Sequence, residues 1–374
     1  MSELGRTERA ALAAIALSTV LAGIARYAHG VSQVLAFALA TLALAGQAWI
    51  VSFATEQVGR RLGPAITGLM QSTVGNLPEF FVVIFALGAG QRIVAETAIL
   101  GSILVNALLV LGLVIVAGAR RAGDHVMRFS PRLPNDTATL LLVSTFIIVL
   151  IGLANSAHDT ASHHTQTISI VGAVAILVVY ASWLRQYLRP DGNPVPRAEQ
   201  PRAEQPSAHQ ADAPDPDAEQ SRLPARVSIA LLAIAGTASA FVSDWFVHAL
   251  QPTIQTLHIS QAFAGLVIVA IAGNAVENVA GIVLAAKGRS ELAISVVKNS
   301  VAQIAAFLYP LLVLVSLLTA TTLTFSLAPV YIGALFGSAL IVWQITGDGE
   351  ATVFEGAALI ATFVILATVA AFET

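Results

Sequence analysis

Cysteine is absent from these 374 residues, methionine occurs three times, and charged side chains make up only 11% of the chain. Without a thiol there is no thiol catalysis, no thiolate metal site and no disulfide scaffold. Soluble domains carry about 25% charged residues, so a chain of this length cannot cover its surface in water with so few. That excludes a water-soluble enzyme and a nucleic-acid binder together. No nucleophile–base pair and no phosphate-cradling glycine loop appears either, so no enzyme class fits. What is abundant is apolar: 56% of the residues, arranged in long runs.

A helix needs roughly 20 apolar residues to cross the hydrocarbon of a bilayer. Eleven runs qualify, at 9–28, 32–58, 65–88, 93–118, 136–154, 166–188, 225–250, 261–286, 291–318, 327–346 and 351–372. A barrel would alternate over about ten residues instead, so the expected fold is all-α, a multi-pass membrane protein of about eleven transmembrane helices. The first run lacks a small-residue cleavage pattern and is read as a retained helix.

Lys and Arg mark the cytoplasmic side. Arg6, Arg9, Arg60, Arg61, Arg120, Arg121, Arg128, Arg132, Lys287 and Arg289 fall on one side, with Arg185 to Arg226 around the sixth–seventh connection; the alternate loops hold only Arg26 and Arg92. The expectation is an N-terminus in the cytoplasm and a C-terminus outside. The preference for Arg over Lys, with abundant Ala, points to a bacterial cytoplasmic membrane. Residues 189–224 hold eight of the fifteen prolines and a doubled Pro-Arg-Ala-Glu-Gln phrase. Such a segment cannot bury a core and is expected to be a disordered cytoplasmic linker.

The linker separates two similar halves. Gly75-Asn76-Leu77-Pro78-Glu79 lies in the third run and Gly273-Asn274-Ala275-Val276-Glu277 in the eighth, an offset of 198 that also relates Gly90 to Gly288 and Ser102 to Ser300. Five spans is an odd number, so the second copy is expected to run inverted through the membrane, as in many secondary transporters. The division is then an N-terminal transmembrane helix over 1–31, a first five-helix repeat over 32–188, the linker, and a second repeat over 225–374.

A carboxylate at the bilayer centre persists when it is paired, protonated or bound to a cation. Asn and Glu three apart share a helix face, so Asn76 with Glu79 and Asn274 with Glu277 each present a carboxylate and an amide inward. Hard cations such as Ca²⁺ take six to eight oxygen ligands of these types. Two carboxylates hold one divalent ion or two protons, the electrostatic basis of an exchanger. Ser72, one turn before Asn76, Ser102 with Asn106, and Ser300 with Gln303 are candidate partners; interhelical hydrogen bonding is the plainer role for such residues.

These residues resemble the calcium/proton antiporters of the cation/calcium exchanger superfamily. The likeness spans roughly 50–372 and rests on Leu62-Gly63-Pro64, Gly68-Leu69, the two Gly-Asn-x-x-Glu motifs, Leu100-Gly101-Ser102-Ile103-Leu104 with Asn106, Leu284-Ala285-Ala286-Lys287-Gly288, Ser300 with Gln303, and the closing hairpin from Asp348 to Gly356. The resemblance implies alternating access with Glu79 and Glu277 carrying ion and proton, no permanent cofactor, and a cation, protons and the lipid bilayer as partners, without nucleic acid.

The sequence departs from that pattern at Gln71, Pro78, Val105 and, most consequentially, Lys298-Asn299, where an apolar residue and a glycine are usual. Lys298 lies about eight residues, roughly 12 Å, into the ninth run. Near the site its charge would leave two carboxylates with a net −1, which suits Na⁺ or K⁺ better than Ca²⁺. Pointing away, it would reach toward the cytoplasm. Asp244 in the seventh run is either a station on a proton or ion path or a partner for Lys298. Glu355 reads as structural, and His158, Asp159, His163 and His164 as solvated loop residues. The leading expectation is Ca²⁺/H⁺ exchange, followed by a Na⁺ or K⁺/H⁺ exchanger on the same fold and then a gated cation channel.

Overall fold

The structure, a computed structural model, describes residues 5–62, 70, 74–187 and 224–373, and among these all side chains but those of 59–62, 187, 276 and 277. Helices occupy the apolar runs: α1 Arg6–Tyr27, α2 Gln33–Leu62, α3 Leu77–Gly88, α4 Arg92–Arg121, α5 Arg132–Ser156, α6 Thr165–Tyr187, α7 Ala225–Leu257, α8 Gln261–Gly273, α9 Ala275–Ala286, α10 Ser290–Leu318, α11 Pro329–Thr346 and α12 Val353–Ala371. In hydrocarbon each backbone polar group must be satisfied within its own segment, and helices do this. Among the described residues nine of them are long and apolar enough to span; α8 and the rest of the eighth run form a pair bent by 60°, and α3 is shorter. The expected linker lies outside the described residues except for Pro224, which precedes α7.

Loops at one end are tied together across the chain. A short antiparallel pair joins β1 Val126–Arg128 to β2 Glu350–Thr352. Beside it Glu291 accepts from the Ser130 backbone at 2.8 Å, and Asn135 donates to the Gly347 carbonyl. At the other end Thr253 donates to the Gln33 carbonyl and Ser260 to that of Ala370. Glu355 reaches back to the backbone N–H of Thr352 at 2.7 Å while Thr352 Oγ1 accepts from the Glu355 N–H, a reciprocal cap that starts α12. Asp159 caps the 160–164 turn through the Ala161 N–H.

The offset of 198 recurs in the backbone. Both apolar runs that carry Gly-Asn-x-x-Glu break at the asparagine, with φ and ψ of −91° and 13° at Asn76 and −102° and 11° at Asn274. Helices α3 and α9 follow, each 12 residues long. They end alike, on glycines of positive φ, 73° at Gly90 and 79° at Gly288. Gln91 N–H then reaches the Ala86 carbonyl as Arg289 N–H reaches that of Leu284. Helices α4 and α10 each contain a π-turn, Val105–Val110 and Ile304–Leu308. The third and eighth runs, expected as helices, are thus each interrupted where the polar motif lies.

Lipid supplies no hydrophobic drive for helix association, so close packing must do it. Helix α4 is the most buried span. It crosses α8 with Gly101 so near that an added Cβ would sit 2.3 Å from the Leu266 carbonyl oxygen. Reciprocally, a Cβ at Gly265 would sit 2.0 Å from Thr97 Oγ1.

Candidate functional site

Glu79 is the third residue of α3, and its side chain is buried at 6% exposure. Pro78 suits this position, because N–H groups in a first helical turn lack an intrahelical acceptor and the ring fixes a helical φ. The carboxylate meets groups from both halves of the chain. Ser102 on α4 donates to Oε1 at 2.5 Å, and the Asn274 amide, at the α8–α9 break, donates to the same oxygen. Asn274 Nδ2 also lies 3.0 Å from Ser102 Oγ and 3.0 Å from the Ala270 carbonyl. Asn106, within the π-turn, donates to the Ser102 carbonyl at 2.9 Å. Gly273 leaves room for the carboxylate: a Cβ there would meet Glu79 Cγ at 2.9 Å.

Surplus polar capacity surrounds this cluster. Asn76 is buried with its Nδ2 unpartnered, and the Asn106 Oδ1 is likewise buried without a donor among the described residues. Buried groups of this kind ordinarily find a partner, so these two amide atoms keep hydrogen-bonding capacity to spare among the described residues. The space left beside Glu79, Ser102 and Gly273 is about 10 Å³, close to what one water requires. A separate cavity of about 610 Å³ opens at the α4 N-terminus, lined by Glu96, Thr97, Leu100, His258, Gln261 and Glu373. Both cavities border α4, and the Gly101–Leu266 backbone crossing lies beside both.

Of the residues named from sequence, Glu79, Ser102, Asn106 and Asn274 come together, with Asn76 at the head of α3. Glu277 occupies the third position of α9, the counterpart of Glu79 in α3; its side chain is outside the described set. Ser72 lies outside the described residues, as does Gln71. Ser300 is buried on α10, while Gln303 is half-buried immediately before the π-turn and is not one of the two donors, Ser102 and Asn274, seen on Glu79 among the described residues.

Lys298 is 1% exposed, and its Nζ has no hydrogen-bond partner among the described residues. Its amine is enclosed rather than carried to the surface. Asp244 lies on an exposed face of α7. The pairing of Asp244 with Lys298 is therefore corrected: a carboxylate facing outward from α7 does not neutralise an enclosed amine. Glu96 pairs with Arg92 at 2.6 Å at the start of α4.

Two features were missed from sequence. Ser243, fully buried on α7, donates to the Pro78 carbonyl at 3.3 Å and so braces the turn that holds Glu79. Its spacing of four from the buried Ser239 was the available signal. The π-turns of α4 and α10 carry no sequence signature beyond Asn106 within the first and Gln303 just before the second; such turns often accompany functional sites.

A helical membrane bundle whose broken spans bring one buried carboxylate against polar side chains of both halves is the architecture of a secondary transporter. The chain belongs to the sodium/calcium exchanger protein family, whose sequence model matches residues 32–185 and 227–372. It is thus a transport protein and not an enzyme. Among its relatives, the vacuolar calcium ion transporter of Schizosaccharomyces pombe is 32% identical over 339 residues, covering 88% of this chain and 77% of the relative. The Ca(2+)/H(+) antiporter ChaA of Bacillus subtilis is 28% identical over 357 residues, covering 94% and 96%. The fold is similar to that of native YfkE, with a TM-score of 0.77 at 25% identity over 97% of this chain and all of that one. It is also similar to the H+/Ca2+ exchanger CAX, with a TM-score of 0.73 at 17% identity, covering 96% of this chain and 88% of that one.

Proposed function

We propose that this protein is a secondary antiporter that exchanges Ca²⁺ for protons by alternating access, with Glu79 and Glu277 as the carrying carboxylates. The observation that carries this reading is the convergence of Ser102 from one half and Asn274 from the other on a single buried oxygen of Glu79. The relatives named above as Ca²⁺/H⁺ antiporters supply the ion.

The chemistry follows from what those groups can do. A serine hydroxyl both donates and accepts, and an asparagine carries donors on one side of its amide and an acceptor on the other. Here both donate to the carboxylate. When a cation takes Oε1, rotation of the hydroxyl and reversal of the amide turn the same two residues into oxygen ligands. Asn76, whose Nδ2 is unmatched, adds a further oxygen, and the mirrored position of Glu277 supplies the second carboxylate. Proton arrival at the carboxylates removes the charge that holds the cation and releases it. Neither two bare charges nor a half-loaded pair is inexpensive at the bilayer centre, which favours exchange over one-way flow. The same reading keeps the N-terminus cytoplasmic, divides the chain into an N-terminal helix and two inverted repeats of five, and places it in a bacterial cytoplasmic membrane.

A second reading, exchange of Na⁺ or K⁺ for protons, is favoured by one observation: Lys298 is enclosed, with no hydrogen-bond partner among the described residues, on the helix that carries Ser300. The test is transport by the purified full chain in proteoliposomes under an imposed pH gradient, with Ca²⁺, Na⁺ and K⁺ supplied separately. Ca²⁺ uptake coupled to proton efflux is expected. Exchange of Na⁺ or K⁺ without Ca²⁺ selects the second reading, and Ca²⁺ flux with no proton countermovement replaces both with a channel.

A further inference from the structure

At the end of the bundle where α1 stops and α2 starts, a cavity of about 190 Å³ lies between the last turn of α1, the first turn of α2 and residues 245–249 of α7. Its polar lining comes from Arg26, His29, Gln33, Trp245 and His248, and no carboxylate among the described residues lines it. Asp244, the acid adjacent in sequence, is outside the lining.

The side chains here are held in place. Trp245 packs on Gly23, where a Cβ would come within 3.0 Å of the indole ring. Tyr27 meets Trp245 edge-on at 6.4 Å, and the Arg26 guanidinium stacks 5.2 Å above the Tyr27 ring. With all this packing, Arg26 Nε and Trp245 Nε1 remain buried with no acceptor among the described residues. Buried N–H groups in native structures are almost always paired, and the half-buried Arg26 guanidinium, with no acid in the described lining, favours an acceptor that also carries negative charge.

We infer that this cavity binds a phosphate-bearing anion, and that in a bilayer the occupant is the headgroup phosphodiester of an anionic phospholipid. Guanidinium geometry matches two phosphate oxygens at once, and the indole N–H, both imidazoles and the Gln33 amide add donors around the same space. A volume of about 190 Å³ equals roughly six waters at about 30 Å³ each, too large for one bound water and ample for a phosphodiester. The surroundings favour a lipid over a free ion. The cavity sits where helices end, the level of headgroups in a spanning bundle, with Trp245 and Tyr27 as interfacial aromatics. Below it α1 exposes Leu17, Val20, Leu21 and Ile24, a continuous apolar surface for acyl chains. A choline headgroup would bring its own cation against Arg26, so phosphatidylglycerol is preferred over phosphatidylcholine.

This inference is independent of which cation the protein exchanges. The test is native mass spectrometry of the full chain released from micelles doped with phosphatidylglycerol or phosphatidylcholine, and separately titrated with inorganic phosphate. One retained phosphatidylglycerol is expected, with retention of phosphatidylcholine about tenfold weaker, the worth of one charge-assisted bond. Arg26→Gln lowers retention by about tenfold on the same reasoning. Trp245→Phe, which keeps a ring against Gly23 and removes only the donor, lowers it by a smaller factor. Arg92→Gln, a basic residue at the same end but outside the cavity, leaves it unchanged. Inorganic phosphate that competes with the lipid through Arg26 supports the site with a free anion as its occupant. Equal retention of both lipids, or retention that neither cavity variant alters, overturns the inference.

Discussion

Replacing Glu79 by Gln separates the site's chemistry from its architecture. Glutamine keeps an Oε1 able to accept from Ser102 and from Asn274, the two contacts now made. Those bonds fall from charge-assisted, about 1.5–3 kcal/mol each, to neutral, about 0.5–1.5 kcal/mol each, a loss of about 2–3 kcal/mol for the pair. Against that, a buried carboxylate no longer has to be desolvated, a relief of several kcal/mol. The two effects oppose each other, so Glu79→Gln should fold and melt close to wild type.

Transport should not survive, because the variant has neither charge for a cation nor a site for a proton. Removing one member of a buried ionic interaction costs about 3–5 kcal/mol, which corresponds to roughly a hundredfold or more in cation affinity. The assay is Ca²⁺ uptake by proteoliposomes under a pH gradient, with size-exclusion and thermal melting as controls for fold. Glu79→Asp gives the graded case. Its carboxylate keeps its charge but withdraws by roughly 1.5 Å, one carbon–carbon bond, and so loses the 2.5 Å contact with Ser102; weakened but measurable exchange is expected. Wild-type uptake by Glu79→Gln would refute the assignment of Glu79 as a carrier.

Glu277→Gln, at the matching position of α9, should abolish exchange to the same degree with the fold intact; normal uptake would leave the second motif without a role in coupling. Gly101→Ala places a Cβ 2.3 Å from the Leu266 carbonyl oxygen, and overpacking of this kind costs about 1–3 kcal/mol. It should lower the melting temperature and slow exchange; an unchanged melt would show that the α4–α8 crossing yields freely. Lys298→Gly should shift ion preference toward Ca²⁺ if the amine acts on the site, read as the ratio of Ca²⁺ to Na⁺ transport; a ratio that stays fixed removes Lys298 from selectivity. Thr352→Ala removes the reciprocal cap with Glu355, a loss of about 0.5–2 kcal/mol visible as a lower melting temperature with exchange retained.

Much of this was legible in the chain because a bilayer leaves few choices. Where the apolar runs fall on described residues they are largely helical. The paired Gly-Asn-x-x-Glu motifs named two residues that meet, Glu79 and Asn274, and the backbone repeats the same offset of 198 from Asn76 and Asn274 through Gln91 and Arg289. The breaks at the two asparagines and the π-turns were not legible, since slipping a hydrogen bond by one residue leaves hydropathy untouched. Ser243 was passed over because its neighbour Asp244 carries a charge, yet it is the neutral residue that faces inward and the charged one that faces out.

The scarcity of charge and the long apolar runs determined, without coordinates, that this is a helical membrane protein and that an acid inside a span is a rarity to be explained. Those conclusions depend on how costly a polar group is in hydrocarbon, and that cost is a property of the residue itself. Which polar groups meet is a property of the fold. Only the tertiary structure decided that Asn274 and Ser102, 172 positions apart, share one oxygen of Glu79, that Lys298 is enclosed with no hydrogen-bond partner among the described residues, and that Arg26 and Trp245 line a cavity rich in donors. Those contacts come from helices crossing at glycine-width separations, a geometry that the periodicity of a single segment does not encode.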